Sequence, residues 1–194
     1  VAIDAIRHDN LDLIIRLMNT ERDMSILRKI VDLLYTFADI DNVQVIVDHL
    51  LHFFLNSKHI SDPQIRSNIS VKIAILTEKY ATDPNWYIDI SLKILSLTIN
   101  TSFNDDELWY RLCQIVVNNP QLRGITCHNL LNYLVEKQTS EYIVKTSSFL
   151  LGEYPSLVMD MISIENLFTV FAEKYFTCSN STRAMVLTTM IKLY

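Results

Sequence analysis

The chain reads as an all-α protein built from antiparallel helix pairs stacked side by side, and three observations point there. Of its 194 residues 49% are apolar, while only 2 are Gly and 4 are Pro, so there is little turn material and much surface to bury. Apolar residues recur at helical spacing along nearly the whole length. Strong helix starts recur every ~35–42 residues with a further helix between them, a period that belongs to stacked helical repeats.

A first, short helix ends around Leu17 and Met18. Asp23 then precedes Leu27, Ile30, Val31, Leu34, Phe37 and Ala38, the i, i+3, i+4, i+7 stripe of an amphipathic helix with an aspartate cap. Asp41 is placed to cap the next helix, with Val43, Ile46, Val47, Leu50 and Phe54 on one face and Leu51 and Leu55 beside it. Asp62-Pro63, Asp83-Pro84 and Asn119-Pro120 combine a favoured cap with Pro in the first turn, where its missing N–H costs nothing. Asn104 with Glu107 resembles a capping box. Further starts fall near Thr139, Ser163 and Asn180.

Two segments carry more than a start signal. From Pro63 to Tyr80, Ile65, Ile69, Ile73, Leu76 and Tyr80 form one face while Val71 and Ile75 fall on the far side, which predicts a helix buried on both sides. Between Tyr87 and Asn100 the alternation of Ile88, Ile90, Leu92 and Ile94 with polar residues imitates a strand. The Pro-led start and the 3.6-period tracks Tyr87-Ile90-Ile94-Leu97 and Ile88-Leu92-Leu95-Ile99 favour helix. The sum is about 10–11 helices in a HEAT/armadillo-type α-solenoid of antiparallel helix pairs. Asp62 with Arg66, and more loosely Asp23 with Arg28, repeat a HEAT-like pattern in which the Asp caps a helix and the Arg bridges to the neighbouring repeat.

Charge and motifs exclude several function classes. A formal charge of -5 with scattered basic residues does not suit nucleic acid, which needs clustered Lys and Arg. No uncharged apolar run approaches the ~18 residues that spanning a bilayer requires, and the default compartment is cytosol. Cys113, Cys127 and Cys178 lack any C-x-x-C pairing and read as reduced, buried thiols. Three N-x-S/T matches, at Asn68, Asn100 and Asn180, read as chance. His49, His52 and His59 lie close enough in sequence for a metal site only if another ligand converged, and neither H-E-x-x-H nor a nearby Cys accompanies them. Asp105, Asp106 and Glu107 open a helix, where carboxylates complement its positive end. With two glycines there is no backbone cradle for phosphates, and no nucleophile–base pairing assembles. The pairs Trp86-Tyr87 and Trp109-Tyr110 suit base or methyl-lysine stacking or packing between repeats; the non-basic surroundings favour packing, with Trp86 buried. No catalytic, cofactor-binding or metal-ligating residue is assigned, no cofactor is expected, and an enzyme is not the reading.

Several segments, in order, resemble the adaptins, the large subunits of clathrin adaptor complexes, and most closely the alpha-adaptins of the plasma-membrane complex. They are Val31-Asp32-Leu33-Leu34-Tyr35, Lys72-Ile73-Ala74-Ile75-Leu76 with Glu78-Lys79-Tyr80-Ala81, and Trp86-Tyr87-Ile88-Asp89. Trp109-Tyr110-Arg111 with Gln114-Ile115-Val116-Val117-Asn118, Leu151-Gly152-Glu153-Tyr154 and Ser181-Thr182-Arg183-Ala184 continue the series. The Glu-Lys-Tyr-Ala segment is shared by several adaptins; the two Trp-Tyr pairs are the alpha-like feature.

The resemblance implies a single segment, residues 1–194, from the middle or late repeats of an adaptin trunk. Val1 in place of a starting methionine and an ending inside an apolar run fit a piece of a longer chain. In that family the trunk is a curved scaffold that holds a small sigma chain, meets the second large chain and joins the medium chain in a heterotetramer. The complex lies on the cytosolic face of the plasma membrane at clathrin-coated pits, in endocytosis and cargo sorting. The family's phosphoinositide and cargo-contacting basic sites belong upstream of this stretch and its clathrin-binding hinge and ear downstream, so none transfers to a residue here. Nucleic acid is not an expected partner. Other readings in the same architectural class are the trunk of another adaptin or coat-complex subunit at Golgi or endosomes, or an unrelated HEAT-repeat scaffold.

Overall fold

Contacts between helices group the chain into two compact units, Val1–Thr82 and Asp83–Tyr194. The computed structural model describes residues 2–56, 63–80, 83–97 and 106–194. The first unit holds helices α1 (Ala2–Thr20), α2 (Met24–Phe37), α3 (Val43–Asn56) and α4 (Pro63–Lys79). The second holds α5 (Pro84–Leu97), α6 (Asp106–Asn118), α7 (Pro120–Leu134), α8 (Glu141–Glu153), a 3-10 turn (Pro155–Val158), α9 (Ile164–Tyr175) and α10 (Asn180–Leu193).

Most helices pack on the next in the chain and also on the one after within the same unit. In the first unit α1 meets both α2 and α3, and α2 meets both α3 and α4. In the second, α5 packs on α6 and α7, α6 on α7 and α8, and α8 on α7 and α10. Contact with both first and second neighbours is the arrangement of two-layered HEAT/armadillo repeats, as the periodicity predicts. Cores form where stripes meet: Leu27, Leu34, Ile46, Leu50, Ile65, Ile69 and Ile73 in the first unit, Ile88, Leu92, Val116, Leu130, Leu150 and Phe171 in the second.

The caps show where local sequence decides and where it does not. Asp23 caps α2, its carboxylate accepting from the N–H groups of Ser25 at 2.8 Å and Ile26 at 3.3 Å. Asp83 accepts from the Asn85 N–H at 2.9 Å at the start of α5, and Ser163 from the Asn166 N–H at 3.3 Å at the start of α9. Asp41 is not the cap of α3. Asp39 takes that turn, accepting from the N–H groups of Asp41 at 3.1 Å and Asn42 at 3.0 Å, because two aspartates two residues apart compete and the earlier one reaches forward.

At α7, Asn119 occupies the cap position, yet its side chain turns back to donate to the Ile115 carbonyl at 2.7 Å and closes the preceding helix. The start expected near Thr139 is there: Ser140 caps α8, accepting from the Tyr142 N–H at 3.2 Å, while the Thr139 hydroxyl donates to the Glu136 carbonyl at 2.8 Å and closes the end of α7. The expected caps Asp62 and Asn104 lie outside the described residues.

The segment that alternates like a strand is helix through Leu97, with Tyr87, Ile88, Ile90, Leu92, Ile94 and Leu95 all buried. Residue Ile99 of its second track lies outside the described residues. Burial on both tracks explains the ambiguity, since a helix covered over most of its circumference loses its polar stripe. The reverse holds for α4. Ile65, Ile69, Ile73 and Leu76 are buried, but Val71 and Ile75 are 39% and 43% exposed, so the prediction of burial on both sides is corrected. They share a solvent-facing stripe with Gln64, Asn68 and Lys79.

Alternate helices are tied by side-chain bonds in matching register. From α2 to α4, the Arg28 guanidinium donates to Gln64 at 3.0 Å, Lys72 pairs with Asp32, and the Tyr80 hydroxyl donates to the Ala38 carbonyl at 3.0 Å. The bridging role expected of Arg28 is therefore met. Arg66 on α4 reaches α3, donating to the Phe54 carbonyl at 3.3 Å and lying 4.2 Å over the Phe54 ring centroid. From α8 to α10 the partners are Glu141 with Ser179 and Thr182, the Ser148 carbonyl with Thr189, and Glu153 with Lys192. Because partners advance together along both chains, each such pair of helices runs parallel.

Candidate functional surface

The chemistry-bearing residue types are spread out or used internally. Cys113, Cys127 and Cys178 are free and buried. Burial pushes the Cys113 and Cys127 thiols up to about 12, with Cys127 adding to the shift at Cys113, and burial also raises Cys178. Protonated at physiological pH, they are poor nucleophiles and poor metal ligands. On α3, His49 is half-buried and His52 is exposed with Nε2 2.8 Å from the Asn56 amide; His59 lies outside the described residues. His128 sits elsewhere, its Nε2 2.7 Å from the Leu157 carbonyl oxygen, tying α7 to the 3-10 turn. Among the described residues no group of three or more His, Cys, Asp or Glu could hold a metal ion. No described helix is long and apolar enough to cross a membrane.

The aromatic pairs divide between core and surface. Tyr87 is buried and Trp86 is only half-buried, which corrects the expectation that the Trp86 ring is enclosed. Trp109 packs partly against the core of the second unit, and Tyr110 is 55% exposed with its ring edge-on to Trp109 at 6.0 Å between centroids. The reason is rotational: adjacent residues on a helix point about 100° apart, so one member of a pair faces inward while the other lies at the rim. Glu107, in the first turn of α6, is exposed as a dipole-complementing carboxylate should be, and Asp105 lies outside the described residues.

Two internal polar centres were not signalled by any motif. Lys174 on α9 is only 8% exposed; its ammonium donates to the Glu136 carbonyl and, at 2.9 Å, to the Thr139 hydroxyl, which places a cation at the end of α7. Glu141, in the first turn of α8, accepts from both the Ser179 N–H at 3.2 Å and the hydroxyls of Ser179 and Thr182 at the start of α10. A carboxylate from one repeat therefore caps a helix of the next. The shared separation of 38 residues, Glu136 to Lys174 and Glu141 to Ser179, is the trace either leaves in the sequence.

Burial acts to raise the Glu141 carboxyl, and the hydrogen bonds from Ser179 and Thr182 outweigh it, leaving it below the ordinary carboxylate value. A group depressed in this way contributes stability above its unfolded pKa, which is lost as pH falls through the folded value. Glu141→Gln is expected to cost about 1–2 kcal/mol at neutral pH and to remove part of the stability loss on acidification below pH 4.5, the group's ordinary value. Denaturant melts of both proteins between neutral and acid pH check this; parallel pH curves refute it.

Exposed apolar side chains include Leu13 and Leu17 on α1, Ile26 and Leu33 on α2, Val71 and Ile75 on α4, Phe149 on α8, Phe176 after α9, and Leu187 and Ile191 on α10.

Comparison with known proteins agrees with this geometry. The chain is 65% identical over 193 residues to the AP-2 complex subunit alpha of Saccharomyces cerevisiae, covering 100% of this chain and 19% of that protein. It is 33% identical over 173 residues to the AP-2 complex subunit alpha-1 of Arabidopsis thaliana, covering 88% of this chain and 16% of that protein. To the AP-2 complex subunit alpha of Schizosaccharomyces pombe it is 30% identical over 174 residues, with 89% and 19% covered. The chain thus spans no more than about a fifth of the length of these relatives. The model of the adaptin N-terminal region matches residues 3–194, and the chain belongs to the adaptin N-terminal region family.

Proposed function

We propose that residues 1–194 are one continuous stretch of the trunk of the alpha large subunit in an AP-2-type clathrin adaptor complex, and that they act as a scaffold in endocytic cargo sorting. The observation that carries this reading is 65% identity across the full length of the chain to a protein named as the alpha subunit of such a complex. In this reading the stretch binds other adaptor subunits, namely a small sigma chain, the second large chain and the medium chain of a heterotetramer, without catalysis or cofactor. Membrane phosphoinositides and clathrin are engaged by other parts of the same subunit. The complex works peripherally, on the cytosolic face of the plasma membrane. Apolar side chains exposed on helices of both units support a protein-binding role.

Affinity purification of the full-length protein is expected to recover a small sigma-type chain in equimolar amount. Recovery of no small adaptor chain overturns the reading. Imaging of the tagged protein separates it from other adaptins: cortical puncta are expected, and Golgi or endosomal puncta assign it to another complex.

A further inference from the structure

The contact between α8 and α10 combines a polar seam with a notch. Thr146, Ser147, Ser148 and Gly152 are buried on α8, and the buried positions of α10 are Thr182, Val186, Thr189 and Leu193. Half of that α10 face is threonine, which has nearly the shape of valine. The face therefore alternates little in size, and apolar packing alone discriminates weakly between the observed register and one shifted by a turn of about 5.4 Å.

The polar groups do discriminate. Thr189 donates from its hydroxyl to the Ser148 carbonyl at 2.6 Å and to the Met185 carbonyl of its own helix at 3.1 Å. Its side chain sits over Gly152, where an added Cβ would meet Thr189 Cγ2 and Oγ1 at 3.2 Å each. At one end of the seam Glu141 caps α10 through Ser179 and Thr182; at the other Lys192 pairs with Glu153. A one-turn slide would break all of these together and drive Gly152 under a different residue.

We propose that this seam is a register lock: the Thr182 and Thr189 hydroxyls and the Gly152 notch are there to select one alignment of α10 on α8, more than to add stability. Buried polar groups typically contribute little net stability once their desolvation is counted, and fixing register is the best-attested use of such groups between helices. For a protein whose task is to hold other sites in place, a unique register sets where every later repeat points.

The test places spin labels on the full-length protein at the exposed positions Gln138 and Thr188, by incorporating a spin-labelled amino acid at each. One narrow distance distribution is expected with the natural seam. With Thr182→Val and Thr189→Val together, a second population displaced by about one turn, ~5.4 Å, is expected while the helical circular dichroism is retained. The variants Thr182→Ser and Thr189→Ser, which keep the hydroxyls, should restore the single distance. A single narrow distance in the valine protein overturns the proposal, as does a valine protein that loses its helical circular dichroism while the serine protein keeps it, since the hydroxyls would then be serving stability.

Discussion

Phe171→Ala is expected to remove about 3–5 kcal/mol from the stability of the second unit. Phe171 heads the fully buried side chains among the described residues at 0% exposure, and it sits in one core with residues of α5, α6, α7 and α8. Truncation loses the transfer free energy of the ring and leaves a cavity that rigid neighbouring helices cannot collapse into. Domains of this size are stable by only about 5–15 kcal/mol, so the variant should melt well below the natural protein. Phe176→Ala supplies the control, because that ring is 76% exposed and its removal should change stability by no more than about 0.5 kcal/mol. Urea denaturation followed by circular dichroism compares them. A loss below about 1 kcal/mol for Phe171→Ala would mean that the core is loosely packed at this point.

Lys174→Met carries the second large effect, through hydrogen bonding and charge together. Methionine matches the length of the lysine stem but donates nothing. The Glu136 carbonyl keeps only the Thr139 hydroxyl at 2.8 Å, and the end of α7 loses its cation. A loss of about 1–2 kcal/mol at neutral pH follows. Burial holds the Lys174 ammonium below its ordinary value of 10.5, against the attraction of Glu173, Cys178 and Glu136. Between the lowered folded value and 10.5 the unfolded chain binds more protons than the folded one, so stability due to this group rises with pH across that window. The natural protein should therefore gain on the methionine variant in its pH slope just below 10.5, and equal slopes would show that the ammonium is solvated.

Legibility followed the range of the interactions. Asp23, Asp83 and Ser163 were readable as caps because each bonds within three residues of itself. Asp41 was misplaced as a cap because Asp39 competes for the same turn, and only the backbone geometry settles which of them reaches a free N–H. Val71 and Ile75 read as buried because hydrophobicity reports what a residue can do, while exposure depends on whether a neighbour arrives. The Trp-Tyr pairs marked the family correctly, yet which ring of each pair is enclosed depended on the rotation of the helix.

By itself the sequence determined the all-α class, the order of the helices, the absence of a recognisable catalytic motif and the family. Those properties rest on periodicity, capping and segment identity, which are local and additive along the chain. Only the tertiary structure decided that Lys174 closes α7, that Glu141 caps α10 from the preceding repeat, and that Gly152 receives Thr189. Each of these joins residues some 37–41 positions apart. Such partners meet because stacking carries the chain out and back by one repeat, and that return is a property of packed helices rather than of any segment read alone.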